Sequence, residues 1–291
     1  MVQKTIRIKL ELFKNVLKLI KKMGVIMIFS YKTLYLDKPI IKDRALDIFI
    51  PENISQDISM IFVHGGGWDA GSRDQMHKIM EGFCDKGFIC ASFDYRLNVD
   101  GFDQLTDLRH AYDYFVSFLK EHGRPLKIVT YGSSAGAHLN ALMSLASPGQ
   151  CGEKLEFNGM SLKNDWIRPI GSMLQATPML FEPWEDIFPA SWNCFQRVAG
   201  VSWEEHPEVY KKLAPMEYLS SETQALFFLN ASDEHMFPNR YTEQATEKLR
   251  SLGRTCMVKT YENAEHGFFY DLTRRRQKEA FADVLEFIEQ L

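Results

Sequence analysis

Gly132-Ser133-Ser134-Ala135-Gly136 lies between an apolar run, Leu126 to Tyr131, and a helix-forming one, Ala137 to Ala146. The run before it reads as a buried strand, so the pentapeptide is the turn of a strand–turn–helix unit. Ser134 stands at the tip of that turn. Residues two before and two after the tip must nearly touch, which demands a minimal residue at both places, and both are glycine. A turn of this kind lifts one hydroxyl above a sheet and aims a helix N-terminus at it. G-x-S-x-G is common by chance; the strand and helix on either side give it meaning.

A second glycine motif, His64-Gly65-Gly66-Gly67-Trp68, follows another apolar strand, Ile58 to Val63. Successive glycines let backbone N–H groups converge on one cavity with no side chain in the way. Donors so placed can stabilise an oxyanion by a few kcal/mol. A flexible glycine loop is the bland alternative. The order strand, glycine loop, helix, strand, helix, strand, serine turn argues against it.

Among eight histidines, His266 stands out. It lies in Glu262-Asn263-Ala264-Glu265-His266-Gly267-Phe268-Phe269, after the strand-like Cys256 to Tyr261 and before the last helix. A neutral imidazole is the usual partner that takes a serine proton near neutral pH. His64 reads as structural within its own loop, His138 as packed behind the serine turn, and His110, His122 and His206 as solvated.

HGGGW at 64–68, Asp94-Tyr95-Arg96-Leu97, GSSAG at 132–136 and EHGF at 265–268 together resemble the α/β-hydrolase fold. Within it the chain is similar to hormone-sensitive-lipase-like and feruloyl-esterase-like carboxylesterases, over about 45 to 290. That resemblance implies Ser134 as nucleophile, His266 as general base, and N–H groups of Gly66, Gly67 and Ala135 as the oxyanion hole. Trp68 and Ser133 are expected at the substrate pocket. The triad's acid departs from the family pattern. It belongs to the loop after Leu226 to Ala231, where counting back from Pro238 reaches Glu234 while the usual residue type points to Asp233. Both remain candidates, and Glu265 and Asp271 read as bystanders.

Composition sets the outer bounds. A chain of 291 residues can bury one sizeable core. A net charge of −4 argues against nucleic acid as a main partner. Five scattered cysteines with no C-x-x-C pair suggest reduced thiols and the cytoplasm. No His, Cys and carboxylate cluster has metal-ligand spacing, and no nucleotide-binding glycine loop is present, so neither metal nor cofactor is expected.

Residues 1–29 alternate basic and apolar side chains, and from Leu10 their spacing suits an amphipathic helix. Such a helix docks on its own domain, as part of a cap, or lies weakly on anionic lipid. A signal peptide fits less well, because no small-residue cleavage site follows the short apolar run Val25 to Phe29. The rest, 30–291, reads as one hydrolase domain. Strands are expected at 33–37, 45–50, 58–63, 88–93, 126–131, 170–176, 225–230 and 256–261. Helices are expected at 74–86, 104–121, 135–146, 240–252 and 275–290. This βα alternation predicts a mostly parallel sheet with helices on both faces. It breaks between 177 and 222, where Phe181, Trp184, Phe188, Trp192, Phe195 and Trp203 sit among prolines and acids. An aromatic insertion of that length reads as a lid over the site, or as a satellite core of its own.

The resemblance implies hydrolysis of small carboxylic esters, with short acyl chains or acylated sugars and phenolic esters, through an acyl-enzyme. A formamidase or amidase acting on a small aromatic amide is the enzymatic alternative. A non-catalytic ligand-binding scaffold is the other. The sequence leaves oligomeric state open.

Overall fold

The computed structural model describes residues 28–36 and 44–291. An eight-stranded sheet forms its centre, in the order β1-β2-β4-β3-β5-β6-β7-β8. The strands are β1 (Ile28–Leu34), β2 (Ala45–Pro51), β3 (Ile58–Val63), β4 (Ile89–Phe93), β5 (Lys127–Ser133), β6 (Gly171–Gln175), β7 (Ala225–Asp233) and β8 (Cys256–Glu265). β2 runs antiparallel to both β1 and β4, and every other pairing is parallel. The sheet is thus mostly parallel, as the alternation predicts. Every residue of β3 and β4 is buried, which suits strands covered by helices on both faces.

The helices are α1 (His77–Cys84), α2 (Gly101–Glu121), α3 (Ala135–Leu145), α4 (Pro189–Ala199), α5 (Pro207–Lys212), α6 (Arg240–Ser251) and α7 (Arg275–Glu289). Apolar side chains of α1 and α7, such as Phe83 and Phe287, pack on one sheet face with Phe62 and Phe227. On the other face α2 and α3 bury Leu105, Leu108, Leu139 and Leu142, and α6 adds Leu249. The helix expected at 74–86 divides into a 3-10 turn, Arg73–Met76, and α1. α2 begins three residues earlier than expected because Asp100 caps it, accepting from Asp103 N–H at 2.8 Å. The expected strand at 33–37 is instead β1, whose pairing with β2 runs from Ile28 opposite Pro51 to Leu34 opposite Ala45. Of the segment 1–29, residues 1–27 lie outside those described, and the amphipathic helix expected there lies with them. Among the described residues, no helix is long and apolar enough to cross a membrane.

Strand order places the chemistry. β3 and β5 are central neighbours with Val63 opposite Gly132, so the glycine loop and the serine turn emerge side by side at the sheet's C-terminal edge. The two loops are pressed together so closely that a Cβ on Gly136 would lie 2.3 Å from the carbonyl oxygens of Val63 and His64. One on Gly132 would lie 2.5 Å from Gly136 O. Gly136→Ala should therefore destabilise the fold by about 3 kcal/mol or more, at or beyond the top of the usual overpacking cost, because backbone must move. Urea unfolding measures this, and an unchanged midpoint would refute the packing argument.

The 177–222 insertion packs rather than covers. Phe181, Phe195 and Tyr210 are buried in the main core, and Trp184, Trp192 and Trp203 pack against it. Phe181 and Phe195 stack at 4.0 Å, and both meet the edge of Trp68. Of its aromatics, only Phe188 is largely exposed. These rings are too apolar to stand free over water, and they join the main core and do not form the separate satellite core that was the alternative expectation.

Candidate active site

Ser134 occupies the tip of the turn between β5 and α3 with φ 54° and ψ −124°, a conformation costly for a residue with a side chain. Its N–H is held by Gln175 O at 2.8 Å, which fixes the turn to β6. The loop after β8 turns back across the sheet edge and brings His266 Nε2 to 2.8 Å from Ser134 Oγ. On its other side, His266 Nδ1 lies 2.9 and 2.8 Å from the two carboxylate oxygens of Glu234. Nδ1–H therefore donates to the carboxylate, leaving Nε2 to accept the serine proton.

Glu234, not Asp233, reaches the histidine. Asp233 ends β7 at a bulge, is exposed, and accepts from its neighbour Ser232. Glu234 follows the strand, and its Oε1 accepts from the N–H groups of Met236 at 2.8 Å and Phe237 at 3.2 Å. Those bonds fold the carboxylate back under its loop, where its side chain is 2% exposed. Burial pushes the carboxyl pKa up, but the His266 bond and the two amides outweigh it and hold it below the usual glutamate value. The group stays ionised wherever histidines titrate. Glu265 is exposed and paired with Arg274, and Asp271 accepts from Thr273 at the cavity rim.

Gly66 and Gly67 line a cavity of about 630 Å³ together with Ser134 and His266. The loop's carbonyls are pinned elsewhere. Gly65 O accepts from His64 Nδ1–H at 2.7 Å, and Gly66 O accepts from the N–H groups of Asp69 and Ala70 at 3.2 and 2.9 Å. In a trans peptide the N–H points opposite to the C=O. Each pinned carbonyl therefore turns the next amide, of Gly66 and then Gly67, to the other side. Ala135 begins α3 beside Ser134, where helix N–H groups lack an intrahelical acceptor.

Two expected pocket residues are not in its wall. Ser133 is fully buried and donates to Gln175 Oε1, because the residue before the tip still has strand geometry and points into the sheet. Trp68 is 1% exposed; its indole N–H donates to His138 Nδ1 at 3.2 Å, and its ring is enclosed by Phe181, Phe195 and Phe237. His138 in turn donates from Nε2 to Leu213 O at 2.7 Å, so it makes two bonds, and burial pushes its pKa down to about 4. His64 bonds within its loop as expected, whereas His110 is buried and bonds Leu155 O rather than facing solvent. None of the 177–222 residues is in the cavity wall. The insertion reaches the site through Arg197, which donates to Gly67 O at 2.7 Å and pairs with Asp69 at 3.0 Å, and through Ser191, which donates to Met236 O at 3.4 Å. Asp47, Asp74 and His77 gather ligand-type atoms within 4.8 Å, and Arg73 and His77 both contact Oδ2 of the buried Asp47 carboxylate.

Sequence reading missed Gln175, Arg197 and Tyr270. Gln175 and Arg197 act through backbone contacts that leave no motif. Tyr270 lies four residues beyond His266 in the same loop and lines the cavity, so its place in that run was the one available signal.

Residues 46–249 match the BD-FAE family model, more than two thirds of the chain. The chain belongs to the BD-FAE family. The matched span contains the glycine loop, the serine turn and Glu234, and His266 lies beyond it. This BD-FAE chain is 25% identical over 243 residues to Esterase LipQ of Mycobacterium tuberculosis (strain ATCC 25618 / H37Rv), covering 79% of itself and 55% of that protein. It is 24% identical over 220 residues to Esterase LipC of the same organism, covering 72% and 52%. The chain thus spans about half the length of these curated relatives. Among solved structures, it matches Thermogutta terrifontis esterase 2 phosphoramylated by tabun with a TM-score of 0.70 at 19% identity, over 90% of this chain and 94% of that one. That likeness establishes the α/β-hydrolase fold.

Proposed function

We propose that this protein is a serine carboxylesterase that cleaves small carboxylic esters through an acyl-enzyme. The observation that carries the reading is the continuous chain from Glu234 through His266 to Ser134 Oγ, with both His266 contacts at 2.8–2.9 Å. The esterase names of its relatives support the same reaction class.

Ser134 Oγ attacks the ester carbonyl while its proton passes to His266 Nε2. Glu234 stabilises the imidazolium and keeps Nδ1 protonated. The amides of Gly66, Gly67 and Ala135 receive the developing oxyanion. His266 then protonates the leaving alcohol, and in the second half it activates water to release the acid. The cavity joins apolar surface, such as Met236, to polar groups of Asp74, Gln75, Lys78 and Asp271. A compact ester with one polar side fits such a wall.

The test is a panel of p-nitrophenyl esters from acetate to octanoate, run beside an N-formyl aromatic amide. Short esters should be turned over fastest, and a fluorophosphonate probe should label Ser134, located by peptide mass mapping. Preference for the formyl amide would favour the amidase reading, and absence of both turnover and labelling would sink the catalytic one.

A further inference from the structure

We infer that Tyr270 is a positioning residue for acyl transfer: its hydroxyl fixes the peptide from which the two oxyanion-binding amides follow. The inference rests on the esterase reading and extends it to a residue outside the triad and the glycine motif.

The peptide in question joins His64 to Gly65. Its carbonyl accepts from Tyr95 Oη–H at 2.9 Å, and its N–H donates to Tyr270 Oη at 3.3 Å. Two tyrosines therefore grip one peptide plane from opposite sides. Tyr95 also stacks on His64, with ring centres 4.3 Å apart and planes 9° from parallel, so that side is set by the core. The other side depends on Tyr270, a half-buried residue of the histidine loop.

Contact at Gly65 is close. A Cβ there would fall 2.7 Å from Tyr270 Oη and 2.8 Å from Ser133 O, so the phenol, the serine turn and the glycine loop converge on one hydrogen-sized space. The Tyr270 hydroxyl also lies against the Ser133 side chain. Its ring flanks Gly267, where a Cβ would meet Tyr270 Cε2 at 3.4 Å. One side chain thus touches the loop bearing His266, the turn bearing Ser134 and the loop bearing Gly66 and Gly67.

The other anchors of the glycine loop do not join these parts. Gly65 O is held by His64, Gly66 O by Asp69 and Ala70, and Gly67 O by Arg197. Each sets one carbonyl. Without the Tyr270 oxygen, the His64–Gly65 plane keeps, among the described residues, a hydrogen bond at its carbonyl end alone, and any tilt of that plane passes to each following amide. Misplacement of about 1 Å at a reacting centre costs up to roughly 10²-fold in rate.

Tyr270→Phe keeps the ring and removes the oxygen. Steady-state kinetics with p-nitrophenyl acetate, normalised to sites titrated by fluorophosphonate, should show kcat reduced about 10- to 100-fold with KM little changed. A trifluoromethyl ketone, which forms an oxyanion on the serine, should bind more weakly by a similar factor. An unreactive acetamide analogue should bind as before. An unchanged kcat per titrated site would overturn the assignment, as would equal weakening of both inhibitors, which marks a residue that only binds substrate. A parent protein that neither turns over the ester nor labels at Ser134 would overturn the esterase reading itself. Parent activity with an unaltered variant would overturn the Tyr270 assignment alone.

Discussion

Glu234→Gln should lower kcat/KM by about 10⁴-fold, while Asp233→Asn should leave it near the parent value. The glutamine is nearly the same shape, and its oxygen can still accept from the N–H groups of Met236 and Phe237 that hold the loop. What changes is the atom facing His266. The atom 2.8 Å from Nδ1 becomes a donating amide nitrogen, and the oxygen left at 2.9 Å is neutral and shared with two backbone N–H groups. The tautomer with its proton on Nε2 therefore gains ground, and the imidazolium loses its counter-charge. A protonated Nε2 cannot take the Ser134 proton across the 2.8 Å contact. The loss should fall on kcat, because the cavity wall is unaltered. Asp233 is exposed and among the described residues its carboxylate bonds Ser232 alone, so its charge has little to do at the site. Kinetics of the two variants on one ester decide the matter. A large loss in Asp233→Asn with a mild one in Glu234→Gln would reverse the assignment, and two mild losses would point to a Ser134–His266 dyad.

The choice between these carboxylates marks where sequence reasoning stops. Counting back from Pro238 favoured Glu234 and residue type favoured Asp233. What decides is the bulge between Ala231 and Asp233, together with two backbone bonds onto Glu234 Oε1. Neither has a composition signature. By contrast, the neighbourhood of the glycine loop and the serine turn was readable, because each motif ends a buried strand and parallel βα units set those strands side by side. The site's supporting contacts were not readable in this way. Arg197 lies 130 residues from the carbonyl it binds, and Tyr270 lies 205 residues from the amide it receives. Such pairs arise only when the sheet edge gathers its loops. Trp68 shows a different failure. An aromatic next to three glycines suggests a pocket wall, yet its positive φ of 65° turns it into the aromatic cluster around Phe181 and Phe195. Apolar burial outweighed adjacency to the site.

Ser134→Ala should reduce kcat/KM by about 10⁵-fold or more, with the fold intact and fluorophosphonate labelling abolished. Any residual rate would come from the oxyanion amides and substrate binding alone. The variant removes one oxygen from a tip that is otherwise held by backbone, since Ser134 N–H bonds Gln175 O and Ser134 O accepts from His138 N–H at 3.0 Å. Stability should therefore change little. Alanine must still adopt φ 54°, as serine does, so the strain of the turn is carried over. Ser133→Ala should behave in the opposite way. Its hydroxyl is buried against Gln175 Oε1, away from the cavity, so turnover by the folded protein should be close to that of the parent. Stability should fall by about 1–3 kcal/mol, because a buried acceptor loses its donor. Measuring both variants by kinetics and by urea unfolding separates the two roles. If Ser133→Ala abolishes turnover while Ser134→Ala spares it, the hydroxyl aimed at His266 is not the one that attacks, and the mechanism fails at its first step.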